Sequence, residues 1–191
     1  MHDQKKGAVL RTDKAEPLVH TESKETRKID IGIEEDNRQS VVDLLQPVLA
    51  NLSVIYSKTR NYHWNLTGPR FHTMHVFLEE QYKELGEAAD EVAERIRSVG
   101  GFPIGTLQEF IEKADLKEEP GVRPPVDGMI VNLVRDHETI IKGLRKDIDK
   151  CDDDYEDTGT ADFLTGLMET HEKLAWMLRA HMEDHTPRND A

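Results

Sequence analysis

The sequence is short of cysteine, of positive charge and of long apolar runs. Among 191 residues there is one cysteine, Cys151, which excludes an internal disulfide and makes thiol catalysis a poor expectation. The first thirty residues contain no apolar core of the signal-peptide kind. Nor does any run of about 18 apolar residues stand out as a membrane span. The expectation is a cytoplasmic chain with no membrane partner. Lys and Arg number 25 against 38 Asp and Glu, a formal net charge of −13. That balance excludes a nucleic-acid binder working by bulk charge and suits metal cations.

Hydrophobic residues make up 37% and charged residues 33%, as in a helical protein with heavily solvated outer faces. The length fits one domain with a substantial core. Residues 1–36 show no periodicity and read as a flexible N-terminal tail. Through residue 28 that tail holds seven bases and five acids, an excess of two positive charges on an otherwise acidic chain. From residue 37 apolar residues recur at three- and four-residue steps: Val41, Leu44, Leu45, Val48, Leu52, Ile55 and Tyr62. Pro47 falls inside this stripe and predicts a kink or a late start. Gly68-Pro69 predicts a break before a second helix, about 69–98, with Phe71, Met74, Leu78, Tyr82, Leu85, Ala89, Val92 and Ile96 inward. A short amphipathic piece, 107–114, precedes a proline-rich link. Two further helices follow, the last from Thr160 to about Asp184, and no strand is expected. Short A–B and C–D turns with a long B–C connection predict an all-α, ferritin-like four-helix bundle over 37–185, with residues 186–191 as a short tail.

Four metal-type side chains carry the chemistry: His63, His75, Asp90 and Glu94. His63 closes the first helix and His75 lies early in the second, so a tight hairpin brings them together. Asp90 and Glu94 share one helix face. His75 and Asp90 are fifteen residues apart in one helix, about 22 Å, whereas a single ion needs ligands within about 2–2.6 Å. These are therefore two half-sites, or a second copy completes each. The residue numbers of His75 and Glu94 have the same sum as those of Glu79 and Asp90. Antiparallel pairing of this helix with its copy would thus set His75 against the partner's Glu94 and Glu79 against the partner's Asp90. Mixed imidazole and carboxylate ligands suit Fe(II), and the site reads as an intersubunit iron centre.

Two segments resemble the Dps family, the DNA-binding proteins from starved cells, or miniferritins. One is His63-Trp64-Asn65-Leu66-Thr67-Gly68, continuing to His75 and Glu79. The other is Asp90-Glu91-Val92-Ala93-Glu94-Arg95, continuing to Gly100-Gly101-Phe102-Pro103. Thr160-Ala161-Asp162-Phe163 is a third match. The resemblance covers about residues 38–185. It implies a hollow homo-dodecameric cage with a ferroxidase at each two-fold interface. His63 and His75 would come from one subunit, Asp90 and Glu94 from the other, with Glu79 contributing and Trp64 packed beside the metal. Fe(II) would be oxidised, preferably by hydrogen peroxide rather than oxygen, and stored as ferric mineral, which protects DNA from oxidative damage. Zinc is the alternative occupant of the resting site. By the same resemblance Asp157 and Asp162 would line an iron-entry pore, with Asp152, Asp153 and Asp154 as a funnel. No glutamate stands three residues before any of the nine histidines, so the intrabundle Glu-x-x-His site of larger ferritins is expected to be missing.

DNA is a weaker expectation than iron. The diluted basic tail would bind it weakly and salt-sensitively, although twelve tails would act together. A nucleoid-compacting structural protein is accordingly the alternative function. Of the remaining histidines, His72 reads as a surface residue or an extra contact to the centre, and His137 as a satisfied core histidine. His171, His181 and His185 read as surface or interface residues, with a secondary metal as the alternative. His2, Asp3, His20 and Glu22 make a tail metal site conceivable without requiring one.

Overall fold

The structure is a computed structural model that describes residues 29–182. Five α-helices follow one another: α1 (Glu35–Asn65), α2 (Phe71–Ser98), α3 (Leu107–Lys113), α4 (Val126–Asp149) and α5 (Thr158–Ala180). A single π-helical turn, Lys150–Asp154, joins α4 to α5. No strand occurs among the described residues. Helix α1 packs chiefly against α2 and α4 chiefly against α5, with α3 lying on α1. The long α2–α4 connection makes this the ferritin-like bundle with one crossover.

Each long helix buries the stripe its periodicity marks. Leu45, Leu52, Ile55, Met74, Leu78, Leu85, Ile96, Ile130, Leu133, Leu144, Leu164 and Leu178 are all buried in one core. The late start expected from Pro47 does not occur, because α1 begins at Glu35 and runs through the proline. Only the Asp43 carbonyl loses its helical donor there, and Asp43 is exposed to water. Burial of Leu45, Val48 and Leu49 on either side holds the helix together. Against expectation, α1 is also long and apolar enough by composition to cross a membrane. Its apolar residues are spent on the bundle core instead.

Phe71, expected inward, is exposed, since α2 begins at that residue and its first turn projects beyond the core. At the other end of α2, Gly101 lets the chain pass α1. A Cβ there would sit 2.5 Å from Val42. The short α3 starts at a capping box in which Thr106 and Glu109 satisfy each other's backbone N–H. Its link onward is held by Asn51 of α1, whose side-chain oxygen accepts from the Asp115 and Leu116 amides. Across the bundle, Lys58 of α1 pairs with Asp136 of α4, and both are buried. Burial alone raises the Asp136 carboxyl above its ordinary range, and Lys58 opposes that shift. The last helix ends at Ala180, earlier than expected. Most of the tail, the end of the expected last helix at Asp184, and His2, Asp3, His20, Glu22 and His185 lie outside the described residues.

Candidate metal centre

The α1–α2 hairpin builds half of the site. The chain turns through Gly68 at φ +98, a conformation side chains rarely adopt, and the Phe71 amide closes the turn on the Gly68 carbonyl. The turn sets His63, in the last turn of α1, against His75 of α2. Their rings stack with centroids 3.7 Å apart and 18° between planes. Each Nδ1 bonds the other residue's main-chain carbonyl: His63 Nδ1 to His75 O at 2.8 Å, and His75 Nδ1 to His63 O at 3.1 Å.

Those two bonds decide the chemistry. A carbonyl oxygen only accepts, so both Nδ1 atoms carry a proton, and in the neutral rings both Nε2 atoms keep a free lone pair. A hydrogen-bonded Nδ1 is the usual support of a metal-binding imidazole. Here the support is the other histidine's backbone, so the two histidines orient each other. Tyr82 lies edge-on to His63 at 5.2 Å, and Phe71 stacks on His75 at 4.9 Å, which fixes both rings from outside.

Glu79 follows His75 by one turn, and its carboxylate meets Lys83 at 2.6 Å. The hydrogen bond from Lys83, then its charge, hold Glu79 below the usual carboxylate range. Asp90 and Glu94 lie further along α2, exposed and without an ion pair among the described residues. No group of three or more His, Cys, Asp or Glu within the described protomer comes close enough to hold one ion. The protomer therefore presents two imidazoles where α1 meets α2 and two exposed carboxylates further along α2.

Trp64 is not a core aromatic. It is 63% exposed, and the Arg60 guanidinium lies 4.7 Å from its ring centroid. Arg60 also bonds the Tyr56 hydroxyl at 2.8 Å.

Of the two acids expected at a pore, Asp162 is exposed on α5 and shares a recess with Glu84, Glu87 and Glu91 of α2. Asp157 is 3% exposed and fully engaged. It caps α5 by accepting from the Thr160 amide at 2.9 Å, takes the Thr160 hydroxyl, and pairs with Arg95 at 3.0 Å. Those partners give Asp157 a structural role within the protomer, whatever part it has in an assembled pore. Asp152, Asp153 and Asp154 are exposed in the π turn, where Asp152 accepts from Thr158.

His72 is exposed beside the centre. His171 is not a surface residue: it is fully buried and meets His137. Both interrupt apolar stripes of facing helices, a signal visible in the sequence but not read as a pair.

Residues 42–186 match the ferritin-like domain family. A low temperature-induced protein from a Nostoc species is 47% identical over 156 residues, 82% of this chain and 87% of that protein. DNA protection during starvation protein 2 of Bacillus anthracis is 36% identical over 146 residues, 76% of this chain and 98% of that one. A solved Dps from Vibrio cholerae O1 superposes with a TM-score of 0.77. It is 28% identical, covers 84% of this chain and 100% of its own, and is described as a member of a broad superfamily of ferritin-like diiron-carboxylate proteins. With the bundle, the crossover and the matched motifs in place, the chain belongs to the Dps family of ferritin-like proteins.

Proposed function

We propose that this protein is a cytoplasmic ferroxidase and iron store. Two copies pair their α2 helices antiparallel, so that His63 and His75 of one subunit and Asp90 and Glu94 of the other bind Fe(II), with Glu79 at the margin. The observation that carries this reading is the reciprocal Nδ1–carbonyl bonding of His63 and His75, which leaves two Nε2 lone pairs and no better use for them. Neutral imidazoles alone hold a ferrous ion weakly, and carboxylates from a second subunit supply the charge and hardness they lack. The ion's increase in charge on oxidation is stabilised by the same carboxylates.

Fe(II) is the substrate. Two ferrous ions give one electron each to hydrogen peroxide, whose O–O bond breaks to leave two hydroxides. Hydrolysis of the ferric product releases protons and yields mineral inside a twelve-subunit cage. Peroxide and ferrous iron are consumed together, which removes both ingredients of hydroxyl-radical formation and protects nearby DNA. The excess of acid over base attracts iron to the shell, and exposed Asp162 is a candidate on its route.

The test is peroxide-driven Fe(II) oxidation by His63→Ala and Asp90→Ala, with assembly followed by light scattering. Each variant alone loses oxidation while remaining assembled. Dissociated, mixed in equal amounts and reassembled, they regain activity in about a quarter of sites. Half of the pairs are then mixed, and one of the two centres in each mixed pair is intact. No recovery on mixing refutes the intersubunit centre, and undiminished rates in the single variants refute these ligands altogether.

A further inference from the structure

The half of the bundle formed by α4 and α5 carries none of the proposed ligands, yet it has two histidines at its core. His137 and His171 are both 0% exposed, and their Nδ1 atoms are 2.8 Å apart. Such a bond needs one donor and one acceptor. One ring is therefore the Nδ1–H tautomer with a bare Nε2, and the other carries its proton on Nε2. Neither Nε2 has a partner. The third buried unpartnered atom among the described residues is Oε1 of Gln81, from α2. The Gln81 amide reaches the Leu174 carbonyl, one turn beyond His171, at 3.5 Å. Two imidazoles from facing helices are thus sealed in the core with their hydrogen bonding incomplete.

The charged groups around the pair are already committed. Asp136, beside His137, is taken by Lys58 of α1. Glu138 pairs with Arg179 and Glu172 with Arg145, both at the surface. The buried α2 side chain that reaches α5, Gln81, is neutral. Among the described residues no carboxylate bonds either ring or acts on it. Burial accordingly holds both rings neutral: it pushes His171 down to about 4, and burial followed by the neighbouring His171 pushes His137 well below its ordinary value.

We propose that the His137–His171 pair is an acid-operated latch between α4 and α5. Above the ordinary imidazole range both rings are neutral and the Nδ1–Nδ1 bond closes the helices. One added proton puts an uncompensated cation in the core. A second removes the only acceptor and leaves two like charges 2.8 Å apart. Parting α4 from α5 so that the rings reach water relieves both. The sign follows from the bases being held below their free value. The open state binds more protons, so the closed state is favoured fully above pH 6.5 and loses ground as pH falls toward 4. One imidazole held at about 4 when closed and released to its ordinary value when open lowers the closed-to-open ratio about 15-fold from pH 6.5 to 5, and about 20-fold from pH 7 to 5. Ordinary carboxylates, near pH 4, stay largely ionised over that window.

The test uses the full-length assembled protein and compares wild type with His137→Leu/His171→Leu in thermal unfolding at pH 7, 6 and 5. Wild type should lose stability by the equivalent of about 20-fold or more between pH 7 and 5, and the double variant should be nearly flat. Equal pH dependence in both overturns the latch. If the variant does not fold, hydrogen exchange of wild type decides, corrected for intrinsic rates. Protection should fall in α4 and α5 between pH 7 and 5 while α1 and α2 keep theirs, and unchanged protection in α4 and α5 refutes the proposal. Neither readout involves iron, so the latch and the ferroxidase reading fail separately.

Discussion

Replacing Asp157 by alanine separates a structural acid from a pore acid. In the wild type this buried carboxylate serves three donors: the Thr160 amide, the Thr160 hydroxyl and the Arg95 guanidinium. Loss of the N-cap costs about 1 kcal/mol. The Thr160 hydroxyl is buried, and leaving it without its acceptor adds about 1–3 kcal/mol. Arg95 contributes less, because its side chain is 27% exposed and water replaces part of what it loses. The total is about 3–4 kcal/mol, or roughly 10 °C in the unfolding midpoint for a chain of this length. Asp157→Asn keeps an acceptor for the Thr160 amide and should cost about 1–2 kcal/mol. Asp162→Asn, exposed and outside this network, should stay within about 0.5 kcal/mol of wild type. The assay is thermal unfolding at fixed protomer concentration and pH 7, paired with the initial rate of Fe(II) uptake. An Asp157→Ala protein as stable as wild type but slow to take up iron would refute the cap argument and favour the pore.

Further perturbations follow from individual contacts. Lys58→Met strands Asp136 in the core and should cost about 3–5 kcal/mol in urea unfolding. Replacing both partners by apolar residues should cost much less. Gly68→Ala forces a side chain into φ +98 and should cost about 1–2 kcal/mol. It should also slow Fe(II) oxidation, because that turn sets His63 against His75, whereas unchanged oxidation would separate the turn from the centre. Cys151 is buried, and burial followed by the Asp157 charge pushes its thiol up to about 12. At pH 8 only about one molecule in ten thousand carries the thiolate, so iodoacetamide should label the protein only after unfolding.

Much of the α1–α2 half-site was legible because its information is periodic. A hydrophobic stripe with three- and four-residue steps places α1 and α2, and two glycine-containing breaks bound them. The capping role of Asp157 is not legible, for the opposite reason. An acid before Thr160 looks the same in sequence whether it faces a pore or caps a helix, and only the approach of Arg95, sixty-two residues away, distinguishes the two. His137 and His171 were likewise assigned singly, because nothing local reveals that facing helices set them at one level.

Trp64 and Phe71 differ from those cases, because for them the sequence pattern and the protomer disagree. Both look like core aromatics, and both are exposed, as are Leu107 and Ile111 of α3. Leu107 and Ile111 line an apolar groove together with Gly86 and Ala89 of α2. Those two small residues lie within the stretch of α2 from Glu79 to Asp90, the pair that antiparallel pairing would set face to face. Large apolar side chains left in water beside a narrow, small-residue stretch of helix are costly for an isolated chain. They become core if a second α2 lies there. The groove with its exposed Leu107 and Ile111, and the proposed sharing of ligands between subunits, thus call for the same antiparallel pair on different physical grounds: burial and charge.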